Sequence, residues 1–228
     1  MNTLTKIILK NNYTVYISIF LLLVLLYGKS LFFGFSPMDE QWLIVKNAPF
    51  LTGAKPIIEA FTKPTLGIYY RPFFLLSFVL DYRIGQLSPF YYHLSNLIYH
   101  FVFCCLFFRF LMLFSVSKQT AFIFVSIFVF HPLLLHSVAL IPGRNDLMFG
   151  IFALSSIICL IQYLKSFRIH LVVLHFLFFI CALLTKENAI TLLFIFLFLY
   201  YITIKPGKKQ LVVFVLFWIA ISLSWFIL

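Results

Sequence analysis

YTVYISIFLLLVLLYGKSLFFGF, residues 13–35, carries a single charge, Lys29. At about 1.5 Å of helix rise per residue it is long enough to cross the roughly 30 Å hydrocarbon core of a bilayer. Runs of the same character recur as far as Leu228, and 64% of the chain is apolar against 10% charged. The chain therefore reads as all-α, a polytopic transmembrane helix bundle. A β-barrel would alternate apolar and polar residues over roughly ten-residue segments, and that dyad pattern is missing. Lys6 and Lys10 precede the first run as the n-region of a signal peptide would, but no small-residue cleavage site follows it. Phe33, Gly34 and Phe35 lead straight into Asp39 and Glu40, so the run reads as an uncleaved anchor.

Apolar length and polar breaks place seven spans near 13–35, 90–114, 120–140, 146–164, 169–185, 188–204 and 210–228. With a cytoplasmic N-terminus, the inner segments hold Lys6, Lys10, Arg109, Lys118, Lys165, Arg168, Lys205, Lys208 and Lys209 and no acid. All six acids, Asp39, Glu40, Glu59, Asp81, Asp146 and Glu187, then fall outside, together with the other eight basic residues, while the short inner loops are purely basic. The positive-inside rule accounts for this distribution, and the net charge of +11 reports orientation rather than nucleic-acid binding. Three regions follow: residues 1–35 as the cytoplasmic N-terminus and first span, 36–89 as a long extracytoplasmic loop, and 90–228 as spans two to seven. Within the loop, Pro72 to Ile84 is too short to span; Pro72 at its start and Gly85 after it fit a short interfacial helix. Ser36-Pro37 and Ser88-Pro89 both read as a helix N-cap followed by its first residue. Cys104, Cys105, Cys159 and Cys181 lie inside apolar runs and indicate neither a disulfide framework nor a metal site.

FSPMDEQWLI, residues 35–44, sets two carboxylates side by side at the outer end of the first span. Ser36 and Asp39 have capping-box spacing, which gives Asp39 a structural role. Capping needs only one carboxylate, however, and adjacent helical side chains diverge by about 100°, so one acid can face a hydroxyl and the other a cation. Arg71, Arg144 and Lys186 stand at span ends on the same face. Asp146 and Glu187 follow the last two closely and explain them as surface ion pairs; taken together with Arg71, the cations have the chemistry of a phosphate clamp. His93, Asn96 and His100 recur at helical spacing, but two imidazoles about 10.5 Å apart along a helix cannot share one metal ion, so they read as polar contacts between helices. His131 precedes Pro132, where the missing N–H predicts a kink in the third span that His131 and His136 help to satisfy. His170 and His175 offer no usable signal.

YYRPFFLLSFVLDYRIGQLSPFYYHLSNLIYH, residues 69–100, resembles the tetratricopeptide-repeat-associated O-mannosyltransferase-like membrane proteins and their bacterial relatives. In order with it, HPLLLHSVALIPGRNDLMFGIFALSS at 131–156 resembles the family's third and fourth spans. LLTKENAITL resembles its Lys-Glu motif, and FGFSPMDEQWLIVKN the start of its first outer loop. The resemblance implies a GT-C class membrane glycosyltransferase acting at the extracytoplasmic or luminal face. It implies a polyprenyl-phosphate-linked sugar donor, with mannose the expected sugar, and a hydroxyl acceptor on protein or glycolipid. Asp39 is then the expected general base and Glu40 an orienting group. Arg71, Arg144 and Lys186 are expected at the donor phosphate, Asp146 and Glu187 beside those cations or at sugar hydroxyls, and His93, Asn96 and His131 as supporting polar groups. No metal site and no cofactor beyond the donor is expected. The chain departs from the family in having His136 where relatives often carry glutamate, and in stopping within an apolar run, as a truncated form or minimal core would. Two other classes fit the composition: a lipid-handling or transport protein, whose expected mark is an ionisable residue deep in a span, and an inactive remnant.

Overall fold

The computed structural model describes residues 12–53, 55–65, 67–203 and 208–227. Lys6, Lys10 and Lys205 of the expected inner segments, and Leu228, lie outside these residues. Apart from one isolated antiparallel bridge, Thr65 to Tyr69, the regular structure of the described residues is helical.

Helices form at all seven expected positions, but four have spanning length: Tyr13–Phe32, Pro89–Leu113, Ile141–Ser166 and Gln210–Ile227. Lys118–Phe130, Ile169–Leu183 and Glu187–Ile202 are apolar but shorter. The expected third span shows why. Proline disfavours a helical residue before it and removes a hydrogen-bond donor. His131 accordingly takes φ −70°, ψ 123° and ends the helix, so residues 120–140 are a helix and a separate turn rather than one kinked rod.

The chain forms two compact units, one of residues up to Pro56 with Leu76–Leu147, the other of Ile57–Leu75 with Met148 onward. In the first unit, α1 (Asn12–Tyr27), α5 (Pro89–Leu113) and α6 (Lys118–Phe130) share a core. The short α2 (Ala48–Thr52) and α3 (Pro56–Thr62), and α4 (Pro72–Gly85), come between α1 and α5 in the chain. Apolar residues four apart build the core: Val15, Ile19, Leu23 and Tyr27 from α1, and Ala121, Val125 and Val129 from α6, against Leu97, Cys104 and Phe108 of α5. Tyr27 Oη donates to the Val129 carbonyl at 2.8 Å, satisfying the one polar atom of that stripe. The opposite face of α1 leaves Ile17, Leu21 and Leu25 exposed, which suits contact with lipid. Beyond α6 the chain makes α7 (Leu134–Ala139), a tight turn at Ile141–Gly143, and α8 (Arg144–Ser166).

The second unit holds α9 (Ile169–Leu183), α10 (Leu192–Thr203) and α11 (Lys208–Ile227). Here His175, silent in the sequence, has a structural role. Its ring is fully buried, and Nε2 accepts from Trp218 Nε1 at 2.8 Å. That acceptance fixes the proton on Nδ1, which faces Ser156 Oγ at 2.8 Å and the Ser156 carbonyl at 3.1 Å. One neutral imidazole thus ties α8, α9 and α11 together by polar contacts between apolar helices.

Candidate functional site

Asp39 and Glu40 part company in the structure. Glu40 is buried; its Oε2 accepts the Ser36 N–H and its Oε1 accepts the Ile141 N–H at 2.9 Å. The closing of the turn that the capping-box spacing assigned to Asp39 is therefore done by Glu40. Both Glu40 oxygens are occupied, whereas Asp39 is exposed and has no ion pair or hydrogen bond among the described residues. Immediately after the doublet the chain makes a π-helical turn, Gln41–Val45, which buries Leu43 and Ile44 as its anchor. A cleft of about 80 Å³ opens beside Asp39, lined also by Ser36, Met38, Glu40, His136, Leu140 and Pro142.

Arg144 departs from its expected role as a phosphate cation. Its side chain is fully enclosed and ion-paired with Asp81, not with the nearby Asp146, which is exposed. Nε donates to Asn96 Oδ1 at 2.9 Å and Nη2 to the Tyr92 carbonyl at 2.8 Å. The guanidinium lies 4.6 Å from the Phe78 ring centre. Ser95 Oγ donates to the other oxygen of Asp81 at 2.6 Å. Charge and donors are thus spent inside the first unit, and the residue acts as a frame. Asn96 extends that frame: its Nδ2 donates to the Leu140 carbonyl at 2.9 Å and the Val138 carbonyl at 3.2 Å. The Leu140–Ile141 connection is consequently pinned on one side by Asn96 and on the other by Glu40. Gly143 completes the turn, since a Cβ there would lie 2.5 Å from the His136 carbonyl oxygen and 2.7 Å from Ser137 Cα.

Asp81 is the residue that the sequence reading passed over. In the sequence it is one outer acid among six. Its signal was one acid inside the otherwise apolar FFLLSFVLDY, where an uncompensated charge is expensive. Of the supporting histidines, His93 and His100 are buried along α5, while His131 is exposed. Among the described residues no cluster of three or more His, Cys, Asp or Glu is arranged to hold a metal.

In the second unit Arg71 grips Glu187 in a two-pronged pair, Nε to Oε2 at 2.9 Å and Nη2 to Oε1. Its guanidinium also lies 4.1 Å from the Tyr69 ring centre. Lys186, half-buried, precedes the 3₁₀ turn that begins at Glu187. Next to these charges runs an apolar groove of about 400 Å³, lined by Tyr70, Leu184, Ile180, Ile221, Phe61 and Trp225 among others. The Arg71 hydrogen bonds hold the Glu187 carboxyl below its ordinary value of 4.5. A depressed folded pKa means that the pair contributes fully above the ordinary carboxylate range and is lost as pH falls through the lower folded value. Arg71→Gln should therefore move the Glu187 titration upward, toward the ordinary value. Carboxyl-carbon NMR would check this, and an unmoved midpoint would show that the pair does not set it.

Four apolar helices of spanning length, and a polar frame that leaves Asp39 exposed beside a cleft, give the class: a helical protein consistent with integral membrane insertion and carrying a built polar site. Within that class its similarity is to protein O-mannosyl-transferases, the family its motifs resemble. It is 30% identical over 149 residues to protein O-mannosyl-transferase TMTC3 of Mus musculus, covering 61% of this chain and 16% of the relative. To protein O-mannosyl-transferase Tmtc1 of Drosophila melanogaster it is 30% identical over 171 residues, 68% of this chain and 19% of the relative. To protein O-mannosyl-transferase TMTC2 of Mus musculus it is 36% identical over 97 residues, 42% of this chain and 12% of the relative. The chain thus spans less than a fifth of the length of these curated relatives. No family model and no solved structure matches it.

Proposed function

We propose that the chain forms the reaction centre of a membrane glycosyltransferase. On this reading a sugar, with mannose expected from the names of the relatives, passes from a polyprenyl-phosphate carrier to a hydroxyl of a protein or glycolipid. The observation that carries it is the division of labour in the doublet: Glu40 is consumed by structure, while Asp39 is left exposed in a cleft. The Asp39 carboxylate takes the proton of the acceptor hydroxyl as its oxygen bonds to the anomeric carbon. The bond from that carbon to the donor phosphate oxygen breaks, and the phosphate leaves with the electron pair, inverting the centre. Arg71 and Lys186, both of the second unit, are assigned to binding the donor phosphate, and Glu187 fixes the plane of the Arg71 guanidinium. The apolar groove beside Tyr70 and Leu184 supports a donor with a hydrocarbon tail. Asp146 is assigned to sugar hydroxyls, Glu40 to holding Asp39 in place, and Arg144, Asn96 and Asp81 to supporting the Leu140–Ile141 wall.

Incubating the protein in membranes with labelled polyprenyl-phosphate sugars should yield a labelled acceptor. Absence of transfer from every donor, with folded protein present, would overturn the reading. Arg71→Lys conserves charge but loses the two-pronged grip, so donor affinity should fall about tenfold. Titration of the donor against the variant measures it, and unchanged affinity would remove Arg71 from the phosphate site.

The topology belongs to the same proposal: inner N-terminus, reaction on the extracytoplasmic or luminal side. The turn containing Lys165 and Arg168 is then inside, and both residues are exposed. Ser166→Cys should resist an impermeant thiol reagent in intact cells and react after permeabilisation. Labelling in intact cells would reverse the orientation.

A further inference from the structure

His136 lines the same cleft as Asp39, and the mechanism above leaves it unused. It is held there by its backbone rather than by its side chain. The His136 carbonyl accepts the Leu140 N–H at 3.3 Å and lies against Gly143, where a Cβ would come within 2.5 Å of it. One residue beyond Leu140, the Ile141 N–H is bonded to Glu40, the neighbour of Asp39. A short path of covalent and hydrogen bonds thus fixes His136 on one wall and Asp39 on the other. The imidazole is exposed and has no hydrogen bond among the described residues. The cleft of about 80 Å³ is small. It has room for a hydroxyl-bearing group between the two walls.

We propose that His136 is a positioning residue of the acceptor site, donating a ring N–H to the acceptor hydroxyl oxygen across the cleft from Asp39. The inference rests on the transferase reading. A hydroxyl has one proton and two lone pairs. With one lone pair accepting from His136 and the proton directed at Asp39, the remaining lone pair is the one free to attack. His136 itself gains and loses no proton in the step.

This hydrogen bond is made in the ground state as well as the transition state, so its loss should raise KM without lowering kcat. In the full chain, with a serine-containing peptide as the acceptor probe, His136→Ala should raise the acceptor KM about three- to tenfold. The donor KM and kcat should be unchanged, and His136→Gln, which keeps an N–H donor, should restore most of the acceptor affinity. Because the backbone, not the ring, holds residue 136 in place, both variants should fold normally. Asp39→Asn should show the reverse split, with kcat falling and the acceptor KM held. A second arm reads geometry without activity: a doubly substituted Asp39→Cys/His136→Cys chain should be bridged by a short bifunctional thiol reagent, detected by mass spectrometry. Failure to bridge, or an acceptor KM indifferent to His136→Ala, would overturn the inference while leaving the transferase reading intact. Absence of transfer by the unsubstituted protein would overturn both.

Discussion

Asp39→Asn is expected, on the proposed transferase reading, to lower sugar transfer about 10²- to 10⁴-fold, the usual consequence of removing a general base, while leaving donor affinity and the amount of folded protein unchanged. The second half of that expectation comes from the structure. Had Asp39 closed the turn after Ser36, the amide would have weakened the fold as well as the reaction. Because Glu40 accepts both the Ser36 and the Ile141 N–H groups, the stability effect should move to the neighbour. Glu40→Gln would turn an amide nitrogen toward one of two N–H donors. A buried donor left without an acceptor costs about 1–3 kcal/mol, so this variant should lose folded protein first and activity as a result. Single-turnover rates and melting temperatures of the two variants, measured side by side, would separate the roles. Full turnover in Asp39→Asn would remove Asp39 from the chemistry, and a matching loss of stability in both variants would mean that the doublet is structural throughout.

The sequence could not divide these roles, and the reason is geometric. An acid at the third position after Ser36 satisfies the spacing rule; which of two adjacent carboxylates turns back depends on where the Ile141 N–H lies, a hundred residues along the chain. The features legible locally are the apolar runs, the proline that ends α6 after Phe130, and the helix that starts at Pro72. Span length at 120–140 was overestimated because hydropathy continues across Pro132 while the hydrogen-bond ladder does not. Charge pairing is set over the same distances as the doublet's roles. Proximity in sequence suggests Arg144 with Asp146, but the partner that closes that pair is Asp81; Glu187 takes Arg71, equally remote along the chain, as its hydrogen-bonding partner, with the Lys186 charge acting beside it. His175 carried no local signal because its partners, Ser156 and Trp218, come from two other helices.

The largest effect on folding should come from Asp81. Asp81→Leu leaves the Arg144 guanidinium fully enclosed with no counter-charge, and breaking one side of a buried pair typically costs about 3–5 kcal/mol. Much of a small domain's stability is of that size, so the variant should be recovered mainly as unfolded or degraded protein. The reciprocal change, Arg144→Met, strands a buried carboxylate instead. It also removes the donor that Asn96 Oδ1 and the Tyr92 carbonyl accept from, so it should be at least as damaging. The double replacement Asp81→Leu/Arg144→Met then separates two explanations. If the pair serves only as packing, two apolar side chains of similar volume should restore much of the stability, because they remove both desolvation penalties at once. If its main work is to hold Asn96 against the Leu140 and Val138 carbonyls, the double variant should fold yet transfer poorly, because the wall that carries His136 and Ile141 loses its support. The second outcome is the expected one. The guanidinium satisfies Asn96, Tyr92 and Asp81 together, and a methionine satisfies none of them. Thermal melts, with transfer assays on the folded fraction, distinguish the cases: a double variant that recovers both fold and turnover would reduce the Arg144–Asp81 frame to packing alone.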